Sequence, residues 1–160
     1  MSSLLLIIDL QKDFINDNTK HILSRIENTI SEKRYNNIAF TRYINSTHNI
    51  CYKKLDFKGC LSEEGQKISI DSNSYKVIDK EAYTGYVEEL KNYLIEKDIK
   101  EIYLCGLNTD CCVLKTALDL FEAGYEVYVL KDLCASTEGN QLHLNALEII
   151  KNNIGKQYIL

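Results

Sequence analysis

Runs of apolar residues of strand length alternate along most of this chain with stretches in which apolar residues recur every three or four positions. Leu4 to Asp9 predicts a first, fully buried strand. Ile22, Leu23, Ile26 and Ile30 then repeat at helical spacing through about Arg34. Asn37 to Tyr43 predicts a second strand, and Val77-Ile78 the centre of a short third. Val87, Leu90 and Leu94 mark a helix ending near Lys97, and Glu101 to Gly106 predicts a fourth strand. Val113, Ala117, Leu120 and Phe121 share one face of the next helix, and Gly124 is suited to end it. Glu126 to Lys131 predicts a fifth strand. A helix from about Glu138 to Asn152 and a last strand from Lys156 to Leu160 complete the chain.

Repeated strand–helix–strand order implies an α/β fold: a three-layer α/β/α, Rossmann-like arrangement with a mostly parallel sheet of about six strands. No internal repeat, low-complexity stretch or linker interrupts it, so residues 1–160 read as a single domain. The exception to the pattern is Ile44 to Lys76, which shows no clear periodicity. A stretch that long is more often functional or interface-forming than idle. A substrate lid and a surface packed on a neighbouring subunit both fit it, and a homo-oligomer is expected.

Composition narrows the function classes. The chain has 160 residues, enough for a full core, and its 45% hydrophobic and 26% charged content is ordinary for a globular protein. A net charge of −4 with no Lys/Arg-rich run argues against a nucleic-acid partner. No apolar stretch approaches the roughly 18 residues that cross a membrane. The opening Met1-Ser-Ser-Leu-Leu-Leu lacks a basic flank and reads as a strand rather than a leader, so a cytoplasmic location is expected. The six cysteines follow no disulfide-scaffold spacing and are expected as free thiols. Adjacent Cys111 and Cys112 would bridge only with strain.

The residues with chemical potential fall where a parallel sheet gathers ligands, at the carboxyl ends of its strands. Cys112 lies in the first turn of a helix that follows a strand. Free backbone N–H groups and the helix dipole there favour a thiolate, the nucleophilic form. Burial is the competing reading for both Cys111 and Cys112. Asp9 ends the first strand, where a partly desolvated carboxylate suits proton transfer. Lys80 ends the third. A base, a cation and a thiol at one sheet edge make an activated nucleophile. Phe14, Tyr83 and Tyr86 are candidate walls for a small flat substrate. Cys111 and Cys134 read as structural, and His21 and His143 as surface residues.

These residues resemble the isochorismatase-like cysteine hydrolase superfamily, which includes nicotinamidases and isochorismatases. Leu5-Leu-Ile-Ile-Asp9-Leu-Gln-Lys-Asp-Phe14 is similar to the family's opening strand. Lys80 with Tyr83-Thr-Gly-Tyr86 is similar to its lysine block. Gly106-Leu-Asn-Thr-Asp-Cys-Cys112-Val113 is similar to its nucleophile turn, Gly-Val-Ala-Thr-Asp-x-Cys-Val. The resemblance implies a catalytic triad of Asp9, Lys80 and Cys112. It also implies a cis peptide between Leu107 and Asn108, and an oxyanion site made by the amides of Asn108 and Cys112. The activity it implies is hydrolysis of a C–N bond in a small amide or carbamoyl compound through a thioester. Vinyl-ether hydrolysis, nicotinamidase activity and a catalytically idle interaction protein are the alternatives.

The chain departs from the family at two places. Nicotinamidases carry a metal-binding Asp-x-His with further His after the second strand. This chain has Thr41-Arg-Tyr-Ile-Asn45 there, with only His48 nearby, so no metal and no other cofactor is expected. Asn108 stands where the family often has Ala, and its side chain is expected either in the pocket or bonded to the turn.

Overall fold

A computed structural model of the protein describes residues 2–160; Met1, part of the single-domain reading, lies outside them. Five parallel strands form one sheet: β1 (Ser2–Ile8), β2 (Asn37–Tyr43), β3 (Lys76–Lys80), β4 (Ile99–Leu107) and β5 (Glu126–Ala135). Their order across the sheet is β3-β2-β1-β4-β5. The chain first builds outward from β1 to β3, then crosses back to build β4 and β5. Right-handed crossovers put the helices of these two halves on opposite faces. β1 is therefore covered on both sides, which is why Leu4 to Ile8 is an unbroken apolar run with every residue 0% exposed.

The helices are α1 (Ile22–Ser31), α2 (Ile50–Leu55), α3 (Glu63–Gln66), α4 (Glu88–Glu96), α5 (Leu114–Glu122) and α6 (Asn140–Ile154). Ile22 and Ile26 bury the inner face of α1, Leu90 and Leu94 that of α4, and Ala117 and Leu120 that of α5. No described helix is long and apolar enough to cross a membrane.

Two expectations about the last third of the chain are corrected. The predicted last strand does not form, which leaves five strands among the described residues, close to the expected six or so. Lys156–Tyr158 winds into a 3₁₀ turn after Gly155, leaving too few extended residues for a sixth strand. What survives is one parallel bridge between Val129 and Ile159, with Leu160 N–H donating to the Val129 carbonyl at 2.9 Å. β5, in turn, runs four residues past Lys131 to Ala135, through an irregular register opposite Leu104–Gly106.

The aperiodic stretch 44–76 is ordered by side chains that take backbone partners. Asn49 caps α2 by accepting from Cys51 N–H at 2.8 Å, and Ser62 caps α3 by accepting from Gly65 N–H at 3.0 Å. Asn45 Nδ2 donates to the carbonyls of Phe57 and Gly59, both at 2.9 Å. Gln11, fully buried, acts as a surrogate strand. Its Oε1 accepts from Tyr43 N–H at 2.7 Å, and its Nε2 donates to the Tyr43 carbonyl at 2.9 Å and the Gln66 carbonyl at 3.1 Å.

Gly106 of β4 pairs with Ile8 of β1. Its φ is +109°, and a Cβ there would stand 2.1 Å from the Ile8 carbonyl oxygen. That atom is backbone of the central strand and cannot swing away. Gly106→Ala is therefore expected to cost at least about 3 kcal/mol, from the disfavoured φ and the clash together. The check is a urea melt, or the soluble yield if the variant does not fold.

Candidate active site

The strand order reverses between β1 and β4, and the crevice at such a switch point is where open α/β sheets hold ligands. The candidate residues meet there. Asp9 follows β1, Lys80 ends β3, and Cys112 lies in the turn after β4. Lys80 Nζ is 2.7 Å from Asp9 Oδ2 and 3.5 Å from Cys112 Sγ. Both charged side chains are 0% exposed. A buried ion pair of this kind tolerates the loss of neither partner.

Each group is held by its surroundings. Asp9 adopts a left-handed backbone, φ +44°, a conformation that Asp tolerates better than most residues. Thr41 Oγ1 accepts from Asp9 N–H at 3.2 Å and donates to Asp9 Oδ1 at 2.6 Å. Lys80 Nζ also donates to the carbonyls of Ala82 at 2.8 Å and Tyr83 at 3.1 Å, and lies 5.3 Å over the Tyr43 ring. With its hydrogens committed to these partners, the ammonium influences the sulfur mainly through its charge.

Cys112 sits in a single π-turn, Thr109–Val113, that precedes α5. Val113 N–H and Cys111 N–H both donate to the Asn108 carbonyl at 3.1 Å. The Leu107–Asn108 peptide is cis. Asn108 Oδ1 accepts from Thr137 N–H at 3.0 Å, so this side chain ties the turn to the segment after β5. It also lines the cavity described below.

The expected thiolate is corrected by the electrostatics. The Cys112 thiol is held well above its ordinary pKa by its hydrogen bond to Cys111, by burial and by the Asp9 carboxylate, with Lys80 opposing. One ammonium already paired to a carboxylate does not neutralise a second buried anion. The resting site thus holds a neutral thiol beside an ion pair. Burial works to discharge Lys80, but Asp9 and Cys112 outweigh it and hold Lys80 above its ordinary value.

A cavity of about 630 Å³ opens over Cys112, lined by Phe14, Tyr43, Cys51, Phe57 and Tyr83 with polar residues between them. Two of the three candidate walls, Phe14 and Tyr83, are present. Tyr86 is not: it packs edge-on against Tyr125, with Lys91 Nζ 5.1 Å over its ring. The turn at Gly85, whose N–H donates to Thr116 Oγ1 at 2.7 Å, sends the two tyrosines apart. Cys111, read as structural, lines the cavity instead. Cys134 is buried, as read. His143 is half-buried and braces the turn that carries Cys112, with its Nδ1 2.7 Å from Thr109 Oγ1.

Sequence reasoning missed Thr41 and Gln11. Thr41 stood in plain view in the family's metal-binding stretch, but its bond to Asp9 depends on the β1–β2 register. Gln11 carried no signal beyond being a polar residue beside a buried strand. The stretch 44–76 supplies Cys51, Leu55 and Phe57 to the cavity wall.

The other buried thiols set an alkaline limit on stability. Burial pushes Cys60 and Cys134 up to about 12 and Cys105 well above its ordinary value. These neutral thiols cost nothing below the unfolded thiol pKa, about 8.5. Above it the unfolded chain ionises and the native one does not. Each thiol therefore removes about 1.4 kcal/mol per pH unit until its native pKa is reached. Urea midpoints under reducing conditions should fall steeply from pH 8 to 10.5, with a shallower fall in Cys105→Ala/Cys134→Ala.

Fold and site place the protein among α/β proteins that carry their chemistry at a sheet switch point. The isochorismatase domain family matches residues 3–157, and the chain belongs to that family. Among relatives, isochorismatase family protein 2A of Dictyostelium discoideum is 47% identical over 64 residues, 39% of this chain and 32% of that protein. An uncharacterised isochorismatase family protein, PncA of Bacillus subtilis, is 35% identical over 103 residues, 64% of this chain and 55% of its own length. The chain thus spans between about a third and about half of these curated relatives. In solved structures, an isochorismatase-like hydrolase from Alkaliphilus metalliredigens superposes with a TM-score of 0.85 at 19% identity, covering 99% of this chain and 97% of that one. Pyrazinamidase of Pyrococcus horikoshii in complex with zinc gives 0.84 at 25%, covering 100% and 99%.

Proposed function

We propose that the chain is a cysteine hydrolase that cleaves the C–N bond of a small amide or carbamoyl compound through a thioester, without a metal. One observation carries this reading: Asp9, Lys80 and Cys112, from three distant parts of the chain, converge on one ammonium, Lys80 Nζ lying 2.7 Å from Asp9 Oδ2 and 3.5 Å from Cys112 Sγ, and Cys112 lines a cavity. The Cys112 thiol gives its proton to Asp9 as sulfur attacks the carbonyl carbon. The amides of Asn108 and Cys112 receive the developing oxyanion. Collapse breaks the C–N bond, and Asp9 returns the proton to the departing amine. Water then attacks the thioester, giving its proton to Asp9, and the acid leaves as the thiol reforms. Lys80, 2.7 Å from Asp9 Oδ2, keeps that carboxyl group positioned throughout. Phe14 and Tyr83 supply apolar walls.

The raised pKa of Cys112 supports Asp9 as an obligatory base. A thiol that is neutral at rest must lose its proton during the attack. Vinyl-ether hydrolysis needs an acid and no thiol, so it leaves the position of Cys112 unexplained. Zinc accompanies the Pyrococcus neighbour, but among the described residues no three His, Cys, Asp or Glu side chains group to hold a metal. At the end of β2, Arg42 pairs with Asp79 at 2.7 Å, the Tyr43 hydroxyl bonds Asn49 at 3.0 Å, and His48 is exposed. The residues do not fit that metal, and no step runs through one.

Nicotinamide is the first amide to try, because a nicotinamidase of Acinetobacter baylyi is 38% identical over 81 residues, half of this chain and 36% of that protein. The test is a screen of small amides in the presence of a chelator, read by ammonia release. Release that survives the chelator supports the reading. Release that requires added metal contradicts it. A homo-oligomer remains part of the proposal, and light scattering measures it.

A further inference from the structure

The cavity over Cys112 holds charge that the hydrolytic steps do not use. Asp13, Asp110 and Glu138 all line it, and no Lys, Arg or His does. Lys80 lies beneath the floor with its ammonium committed to Asp9 and two carbonyls. Among the described residues none of these three carboxylates has a salt-bridge partner. Asp13 Oδ2 accepts only a backbone N–H, from Cys60 at 2.7 Å. Asp110 Oδ1 is shut away from solvent with no hydrogen-bond partner. The nearby base His143 is held below its ordinary pKa by burial and by His21, against the opposing carboxylates of Asp132 and Asp110.

The apolar part of the cavity has matching chemistry. Phe14, Tyr43, Phe57 and Tyr83 all line it. Phe14 and Phe57 lie nearly parallel, 8° apart with centroids at 6.2 Å, and Tyr43 is tilted against Phe57 at 6.3 Å. Aromatic faces attract cations, and the exposed Asp13 and Glu138 with the half-buried Asp110 set a negative field around the cavity. An anion would meet three like charges and no partner.

We propose that the amide taken by this site carries a cationic head group, an ammonium or ring-nitrogen cation, received by Asp110 and the aromatic walls with Asp13 and Glu138 completing the field. This rests on the cysteine hydrolase reading, and it makes Asp110, two residues before the nucleophile, the residue that selects by charge.

Three flat amides of nearly equal shape test it: cationic 1-methylnicotinamide, neutral nicotinamide and anionic 3-carbamoylbenzoate. At low salt, kcat/KM for the cation should exceed that for the neutral amide by about 10-fold and that for the anion by about 100-fold, shrinking as salt rises. In Asp110→Asn the cation-to-neutral ratio should fall to within about threefold, through a raised KM for the cation. Calorimetry on Cys112→Ala reads the same order of binding without turnover. A preference for the anion, an order indifferent to charge, a ratio unchanged in Asp110→Asn, or no cation binding at about 10 mM each overturns the charge selection. Cation-selective binding with no ammonia released from any amide would instead overturn the hydrolase reading alone. Ammonia release without charge preference would spare that reading and remove this one.

Discussion

Cys112→Ala is expected to fold normally and to release ammonia from an amide substrate at least about 10⁴-fold more slowly than the native chain. The change removes one sulfur from a side chain that is 8% exposed, so its effect on stability should stay near 1 kcal/mol. The effect on rate is large because no other group replaces the nucleophile. Cys111, the neighbouring thiol, is pulled below its ordinary pKa by the hydrogen bond it accepts from Cys112. That makes it a fair competitor as nucleophile, and Cys111→Ala is the needed comparison. Only Cys112 has Lys80 Nζ at 3.5 Å, with Asp9 on the same ammonium. Cys111→Ala should therefore retain activity within about tenfold of native. If the two variants exchanged these results, the nucleophile would be residue 111.

Lys80→Met should be the most destabilising change in the site. It strands the Asp9 carboxylate, 0% exposed, with no cation, and the loss of one partner from a buried pair costs about 3–5 kcal/mol. Asp9→Leu/Lys80→Met removes both charges and should recover most of that stability while staying inactive. Urea melts of the single and double variants, with ammonia release alongside, separate the two roles of the pair. A double variant no more stable than Lys80→Met would mean that the lysine acts through packing and its bonds to the Ala82 and Tyr83 carbonyls rather than through Asp9.

The sheet was legible because a parallel strand buried on both faces must be a continuous apolar run. Leu4–Ile8 is such a run, and the stretch from Ile102 to Cys105 is one with only Tyr103 half-buried. The three site residues were legible for a related reason: each stands where such a run gives way to polar residues, and a parallel sheet brings those ends to one edge. The stretch 44–76 was not legible. α2 and α3 have six and four residues, too short to display a period, and Asn45, Asn49, Ser62 and Gln11 fix them through backbone bonds that leave no pattern. Tyr86 was misplaced for a local reason. Tyr83 and Tyr86 are equivalent on a string, and only the bend at Gly85 sends one to the cavity and the other to Tyr125. The protonation of Cys112 was misjudged because its position beside a helix start is visible in sequence, whereas its burial beside a carboxylate and a second thiol is not.

In the proposed mechanism sulfur, carboxylate and ammonium at the β1–β4 switch point act together as a covalent catalyst, and this covalency is what must be seen. It is tested most directly by acid-quenching the native chain during turnover of an amide and mapping the acyl group by mass spectrometry. An added acyl mass is expected on the peptide that carries Cys112, labile to hydroxylamine and absent from both Asp9→Asn and Cys112→Ala. Turnover with no acylated cysteine, or an acyl group on any other residue, would contradict it.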